Sequence, residues 1–224
     1  MTAQKYGDVR VMTDLLGFFS RDQIKSIIKY APTAEERMLY KLLMHGRRIT
    51  EVLGRKEFVH KYRDKHTGEL KEKHYPAVEG LKPSHLNIEY EQIKFRLLKK
   101  GRETYDLFPI EHKIFQELLQ YIRENNIQDD ENIFKLNRFQ VNYRLKKLCK
   151  GLGIHLIGSK KPHAHHFRHS FAVHLLKNSN DPTDIKKVQM ALGHSDINVT
   201  SGYLKLGKED LRKTINKTFG DTDD

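Results

Sequence analysis

An α+β fold, mainly α-helical with a small three-stranded antiparallel sheet, is what this sequence predicts. Over most of the chain, apolar residues recur every three or four positions behind recognisable capping residues, the signature of amphipathic helices. Only the stretch from Leu86 to Leu107 shows the alternation of half-buried strands. Helix-type segments lie on both sides of it.

Residues 1–19 carry no strong pattern and are expected to be a linker or the remnant of an upstream segment. Ser20-Arg21-Asp22-Gln23 reads as a capping box opening a helix with Ile24, Ile27 and Ile28 on one face, ending before Pro32. A second box, Thr33-Ala34-Glu35-Glu36, opens a helix that buries Met38 and Leu42 and ends near Gly46. Arg48 and Glu51 are then one helical turn apart, a spacing at which a carboxylate can lock a flexible guanidinium. On sequence grounds alone Arg47-Arg48 would pass for a solvated surface pair.

Residues 54–80 hold Lys56, Lys61, Arg63, Lys65, Lys71 and Lys73 around a Thr67-Gly68 turn. They read either as a basic hairpin or as a mobile charged loop. Leu86, Ile88 and Tyr90 alternate, as do Ile93, Phe95 and Leu97, and Tyr105 and Leu107 suggest a third strand beyond the basic turn Lys99-Lys100-Gly101-Arg102. Ile114, Phe115, Leu118, Leu119 and Ile122 mark a helix after Pro109. Val141, Leu145 and Leu148 mark another that stops at Gly151, and it also carries Arg138, Arg144, Lys146, Lys147 and Lys150. Asp181-Pro182-Thr183-Asp184 opens a further helix with Ile185, Val188 and Leu192 at core spacing, and Gly193 ends it. Residues 205–218 fit one more amphipathic helix, and the acidic end, 221–224, is expected to be disordered.

Composition narrows the function classes. At 224 residues and 38% hydrophobic content the chain can build a sizeable core. Forty-one Lys and Arg against 29 Asp and Glu give a formal charge of +12. That favours a polyanionic partner, nucleic acid ahead of an anionic membrane surface. The longest apolar runs, such as Leu15-Leu16-Gly17-Phe18-Phe19, are too short to span a bilayer, and residues 1–20 lack a signal-peptide pattern, so a soluble, non-secreted protein is expected. The single Cys149 excludes an internal disulfide and lacks metal or redox spacing.

The chemistry concentrates between His163 and Tyr203. His165 and Arg168 are three apart, so in a helix they project from one face about 5–6 Å apart at Cβ. That is close enough to hold one anion, and a guanidinium fork matches phosphate oxygens. Leu192-Gly193-His194-Ser195 follows, then Tyr203 nine positions past His194. A tyrosine hydroxyl can attack phosphorus, but with a pKa near 10 it needs cationic or proton-accepting neighbours. His163, His165, His166 and His169 also invite a zinc reading. No HExxH glutamate is present and Arg168 would repel a cation, so no metal is expected. His166 and His174 read as surface histidines, and His169, Phe171 and Leu175 as structural.

His165-His166-Phe167-Arg168-His169-Ser170-Phe171-Ala172, Leu192-Gly193-His194-Ser195 and Tyr203 together resemble the C-terminal motif of the tyrosine recombinase (phage integrase) family. Arg48-Ile49-Thr50-Glu51 resembles the family's first arginine motif, and Gly80-Leu81-Lys82-Pro83-Ser84-His85-Leu86 the phrase after it, which makes 54–80 a basic insertion. The resemblance implies a catalytic domain over 20–220. Its implied catalytic set is Arg48, Lys100, His165, Arg168, His194 and Tyr203, with Glu51 in support and Lys99 as the alternative to Lys100. One departure is the position of Pro162, three residues ahead of His165 rather than beside it.

The implied activity is site-specific DNA recombination through a 3′-phosphotyrosyl bond on Tyr203, with no cofactor. Implied partners are double-stranded DNA and further copies of the chain in a tetrameric synapse, with no membrane. The implied setting is the cytoplasm or nucleoid of a prokaryotic cell, or a virus or mobile element. Type IB topoisomerase-like relaxation and a non-catalytic DNA-binding accessory of the same fold are the alternatives. Only 47 residues precede Arg48, little room for the family's separate core-binding domain, so a fragment of a larger protein is expected.

Overall fold

Ser20 closes the first capping box as its spacing predicts: its Oγ accepts the Gln23 amide while Gln23 Oε1 accepts the Ser20 amide at 2.9 Å. The computed structural model describes residues 17–99, 102–156, 161–177 and Leu192. From this cap runs α1 (Arg21–Tyr30), which buries Ile27, and Thr33 caps α2 (Ala34–Leu43), which buries Met38, Leu39, Tyr40, Leu42 and Leu43. A turn through Gly46, in the left-handed region at φ 80°, leads to the short α3 (Ile49–Leu53).

Residues 54–80 hold a two-stranded antiparallel hairpin, β1 (Phe58–Arg63) with β2 (Leu70–Tyr75), so the hairpin alternative holds over the loop. After a 3₁₀ turn at Pro83–His85 comes the three-stranded antiparallel sheet, β3 (Leu86–Asn87), β4 (Gln92–Lys99) and β5 (Arg102–Pro109), in that spatial order. Among the described residues the fold is thus the predicted α+β. Two details differ from the alternation. Ile88 and Tyr90 are exposed in a turn after the two-residue β3, and Tyr105 and Leu107 face solvent. On β5 it is Asp106 and Phe108 that turn inward, because they receive the buried side chain of Arg47.

Three helices complete the described part: α4 (His112–Glu124), α5 (Arg138–Gly151) and α6 (His165–Lys177). Asn137 caps α5 with its side chain on the amides of Phe139 and Gln140. The main core joins Phe19, α1, α2, Val52, Ile93 and Phe95 of β4, α4, Val141 and Leu145 of α5, and Phe167 of α6. A smaller cluster gathers Phe18, Ala172, Val173 and Leu192.

Residues 17–19, expected to belong to a patternless linker or remnant of an upstream segment, are buried. Ser170 Oγ accepts the Phe19 amide at 2.7 Å, the Phe19 carbonyl lies 2.8 Å from His174 Nε2, and the Phe19 ring packs on Phe167. Two large aromatic rings can bury 150–250 Å² each, so this short segment is anchored by apolar area that periodicity over three residues does not reveal.

Candidate active site

Arg48 is the N-cap residue of α3, and Glu51 the third residue of that helix. The Glu51 carboxylate is 3% exposed and binds Arg48 twice: one oxygen accepts the Arg48 backbone amide at 2.9 Å, the other its Nη1 at 2.7 Å. One carboxylate thus caps the first amide of α3 and holds the ion pair, so the turn of helix that orients the backbone also aims the guanidinium. The Arg48 side chain itself is only partly covered.

Arg168 comes from the first turn of α6 and is 2% exposed. Its Nη1 donates to the Gly46 carbonyl at 2.6 Å and its Nη2 to the Leu192 carbonyl. Gly46 is two residues from Arg48, and consecutive Cα atoms are 3.8 Å apart, so the backbone that Arg168 grips lies within about 8 Å of the Arg48 Cα. Gly46 is also where a side chain will not fit. A Cβ there would stand 2.5 Å from the Phe171 ring, and φ 80° disfavours any other residue. Leu192 directly precedes the Gly193-His194 pair, so one guanidinium ties the first arginine corner to the edge of the later histidine motif.

His165 opens α6 with its side chain exposed, and its ring meets that of His169 edge-on at 4.4 Å. Desolvation first, then the neighbouring charges of His169, Arg168, His163 and His166, push its pKa well below the ordinary value. His165 is therefore neutral at pH 7, a proton acceptor and not a cation.

His166 and His174 are not the surface histidines the sequence predicts. His166 is buried, accepts the His163 amide on Nδ1 at 3.0 Å, and has a pKa pushed down to about 3, mainly by desolvation. His174 is half-buried against Phe18 and Phe19. The rings of His163, His165, His166 and His169 crowd the start of α6, but among the described residues no three His, Cys, Asp or Glu side chains converge as a metal site.

Sequence reasoning missed Arg47. It is 1% exposed, pairs with Asp106 at 3.3 Å and lies over the Phe108 ring at 3.9 Å and the Phe95 ring at 5.3 Å. Burial lowers its pKa from the usual arginine range, while Glu51 and Asp106 act in the opposite sense. The available signal was the Asp106-x-Phe108 spacing on β5, which places an acid and an aromatic on one strand face.

Lys100, His194 and Tyr203 lie outside the described residues, whereas the Gly46 corner joins Arg168 to the segment of Arg48 and Glu51, and His165 stands one helical turn before Arg168. The sequence profile of the phage integrase family matches residues 78–210, more than half of the chain. The chain belongs to the phage integrase family. Tyrosine recombinase XerD of Staphylococcus haemolyticus is 32% identical over 120 residues, 50% of this chain and 39% of that protein. Tyrosine recombinase XerA of Saccharolobus solfataricus is 32% identical over 134 residues, 60% of this chain and 42% of that protein. The match therefore spans about two fifths of these curated relatives.

The phage integrase fold is shared with a XerA recombinase crystal structure at a TM-score of 0.62 and 22% identity, covering 90% of this chain and 63% of the other. It is shared with a XerH site-specific recombinase bound to a palindromic difH substrate at a TM-score of 0.63 and 18% identity, covering 96% and 55%. Arg48 and the β1–β2 hairpin precede the profile match, but the fold likeness extends over most of the chain.

Proposed function

We propose that this chain is the catalytic portion of a site-specific DNA recombinase that cuts and rejoins strands through a 3′-phosphotyrosyl intermediate on Tyr203. The observation that carries the reading is the double anchoring of the two arginines, Arg48 by the buried Glu51 and Arg168 by the Gly46 carbonyl two residues from Arg48. Two arginines tied to one backbone corner suit a phosphodiester whose nonbridging oxygens gain negative charge as it is attacked. In this reading Arg48 and Arg168 stabilise that charge. Neutral His165 takes the Tyr203 proton or helps hold the phosphate, His194 donates to a nonbridging oxygen, and Lys100 protonates the departing 5′-oxygen. The phosphotyrosyl bond keeps the energy of the broken linkage, and the free 5′-hydroxyl reverses the attack. No nucleotide or metal enters.

Duplex DNA as the partner is supported by α5, which carries Arg138, Arg144, Lys146, Lys147 and Lys150 and no carboxylate. Phe139 and Tyr143 stand 84% and 70% exposed on the same helix. Self-association on DNA belongs to the same proposal, by resemblance.

The test is incubation of the chain with a library of nicked duplexes randomised around the nick. Wild-type protein should yield a covalent adduct that survives denaturation, Tyr203→Phe should yield none, and the wild-type adduct should form equally in EDTA. An adduct in both proteins would refute the role of Tyr203. Relaxation of supercoiled plasmid without a recoverable sequence preference would favour the topoisomerase alternative.

A further inference from the structure

The inserted hairpin has two unlike faces. Residues opposite one another in an antiparallel pair share a face, so Phe58, His60 and Tyr62 of β1 lie beside Tyr75, Lys73 and Lys71 of β2, with no carboxylate among the six. The other face holds Val59, Lys61 and Arg63 beside His74, Glu72 and Leu70, and there Lys61 is paired with Glu72 at 2.8 Å. Almost every strand residue is exposed, and an isolated two-stranded hairpin is marginal in water.

Its root, however, is built to hold one direction. Gly54 sits at φ 69°, and a Cβ there would stand 2.5 Å from backbone atoms of Val78 and Gly80. Arg55 and Val78 exchange both backbone hydrogen bonds, at 2.8 and 2.9 Å. Phe58 and Tyr75 stack at 4.7 Å, the Arg55 guanidinium lies 5.2 Å from the Tyr75 ring, and its Nε donates to the Pro76 carbonyl. At the tip, Asp64 accepts the amides of His66 and Thr67 and pairs with Lys71 at 2.6 Å. A rigid root and tip joined by unburied strands describe an arm, not a slack loop.

We propose that the Phe58, His60, Tyr62, Lys71, Lys73, Tyr75 face of this arm binds the backbone of duplex DNA flanking the cleaved phosphate. The inference rests on the recombinase reading and extends it to a surface that the catalytic set does not use. The chemistry fits: Lys73, and Lys71 once it exchanges Asp64 for a phosphate, supply charge, and aromatic rings pack on sugars without demanding a sequence. The reach fits as well. The arm leaves α3 one five-residue helix, about 7–8 Å, beyond Arg48, and six-residue strands add about 20 Å. That places its tip up to about 8 base pairs from the scissile phosphate at 3.4 Å per pair.

The experiment measures fluorescence anisotropy of the full 224-residue chain with a labelled 30-base-pair duplex of arbitrary sequence, at several salt concentrations. It compares Lys71→Ala/Lys73→Ala with Lys61→Ala/Arg63→Ala, which removes the same charge from the opposite face. A phosphate contact is worth roughly fivefold at 0.15 M salt, so the first pair should weaken binding about 30-fold and flatten the log–log salt slope by about 2. The second pair should change affinity less than about threefold, with circular dichroism unchanged for both. Equal losses from the two faces, or no loss from either, would overturn the proposal while leaving DNA binding intact. Unchanged affinity together with loss of a dimer in sedimentation would reassign the arm to contact with a second copy. A wild-type chain that ignores duplex DNA at low salt would instead refute the DNA reading, and the arm's role with it.

Discussion

Glu51 is the residue on which the first arginine depends, because its two oxygens divide between the Arg48 amide and the Arg48 guanidinium. Glu51→Gln keeps an acceptor for the amide and removes the charge that aims the side chain. It should leave melting nearly unchanged and lower adduct formation toward the 10²–10³-fold loss expected for removing a preorganised donor. Glu51→Ala loses the cap as well and should cost about a further 1 kcal/mol in thermal unfolding. The histidines of α6 give a second prediction. His166 and His169 have pKa values pushed down to about 3 and about 4, below the unfolded value near 6.5, chiefly by desolvation. Below pH 6.5 the unfolded chain therefore binds more protons than the folded one. Stability is complete above that pH and is lost as pH falls toward 4, by about 1.4 kcal/mol per pH unit for each such imidazole. His166→Asn, which keeps an acceptor for the His163 amide but does not titrate, should melt with a shallower dependence on pH between 4 and 6.5.

At the scale of elements, the turns that enter and leave α3, at Gly46 and Gly54, are where backbone geometry and site geometry meet. Gly54→Ala should be among the costlier small substitutions in the chain, by about 1–3 kcal/mol in chemical denaturation, since it demands a strained φ and a 2.5 Å approach to backbone that cannot swing aside. The helices were legible in sequence because caps and 3.6-residue spacing are local signals: Ser20-Gln23 and Thr33-Glu36 cap as they read. The existence of the third strand was legible too, but its inward face was not. Tyr105 and Leu107 are the more apolar pair, yet the buried Arg47 requires Asp106, and with it the opposite strand face, to turn inward. That requirement joins residues 59 positions apart and leaves no mark on local alternation. The same holds for Phe19, whose partners Ser170 and His174 lie about 150 residues away. Of the candidate site, the motif spacing exposed the charged residues themselves, while Gly46 and Leu192, which hold Arg168 through carbonyls, contribute no side-chain chemistry that a motif would show.

Among the described residues of the molecule the charge is unevenly distributed. Carboxylates serve as internal clamps, Glu51 on Arg48 and Asp106 on Arg47, and Glu36 sits buried 3.5 Å from Arg144, whereas α5 carries five cations and no acid. A surface of that kind attracts a polyanion through counterion release, which sets a quantitative expectation. If five phosphates are neutralised, the log–log salt slope is about −4.5, and raising salt from 50 to 200 mM should weaken duplex binding roughly 500-fold. Replacing Lys146, Lys147 and Lys150 by Gln should flatten that slope by about 0.9 for each lysine that touches a phosphate, and should weaken unrelated duplex sequences equally, since backbone contacts carry no sequence information. Affinity that stays constant across this salt range would mean that binding is not electrostatic, and α5 would then lose its assignment to the DNA surface.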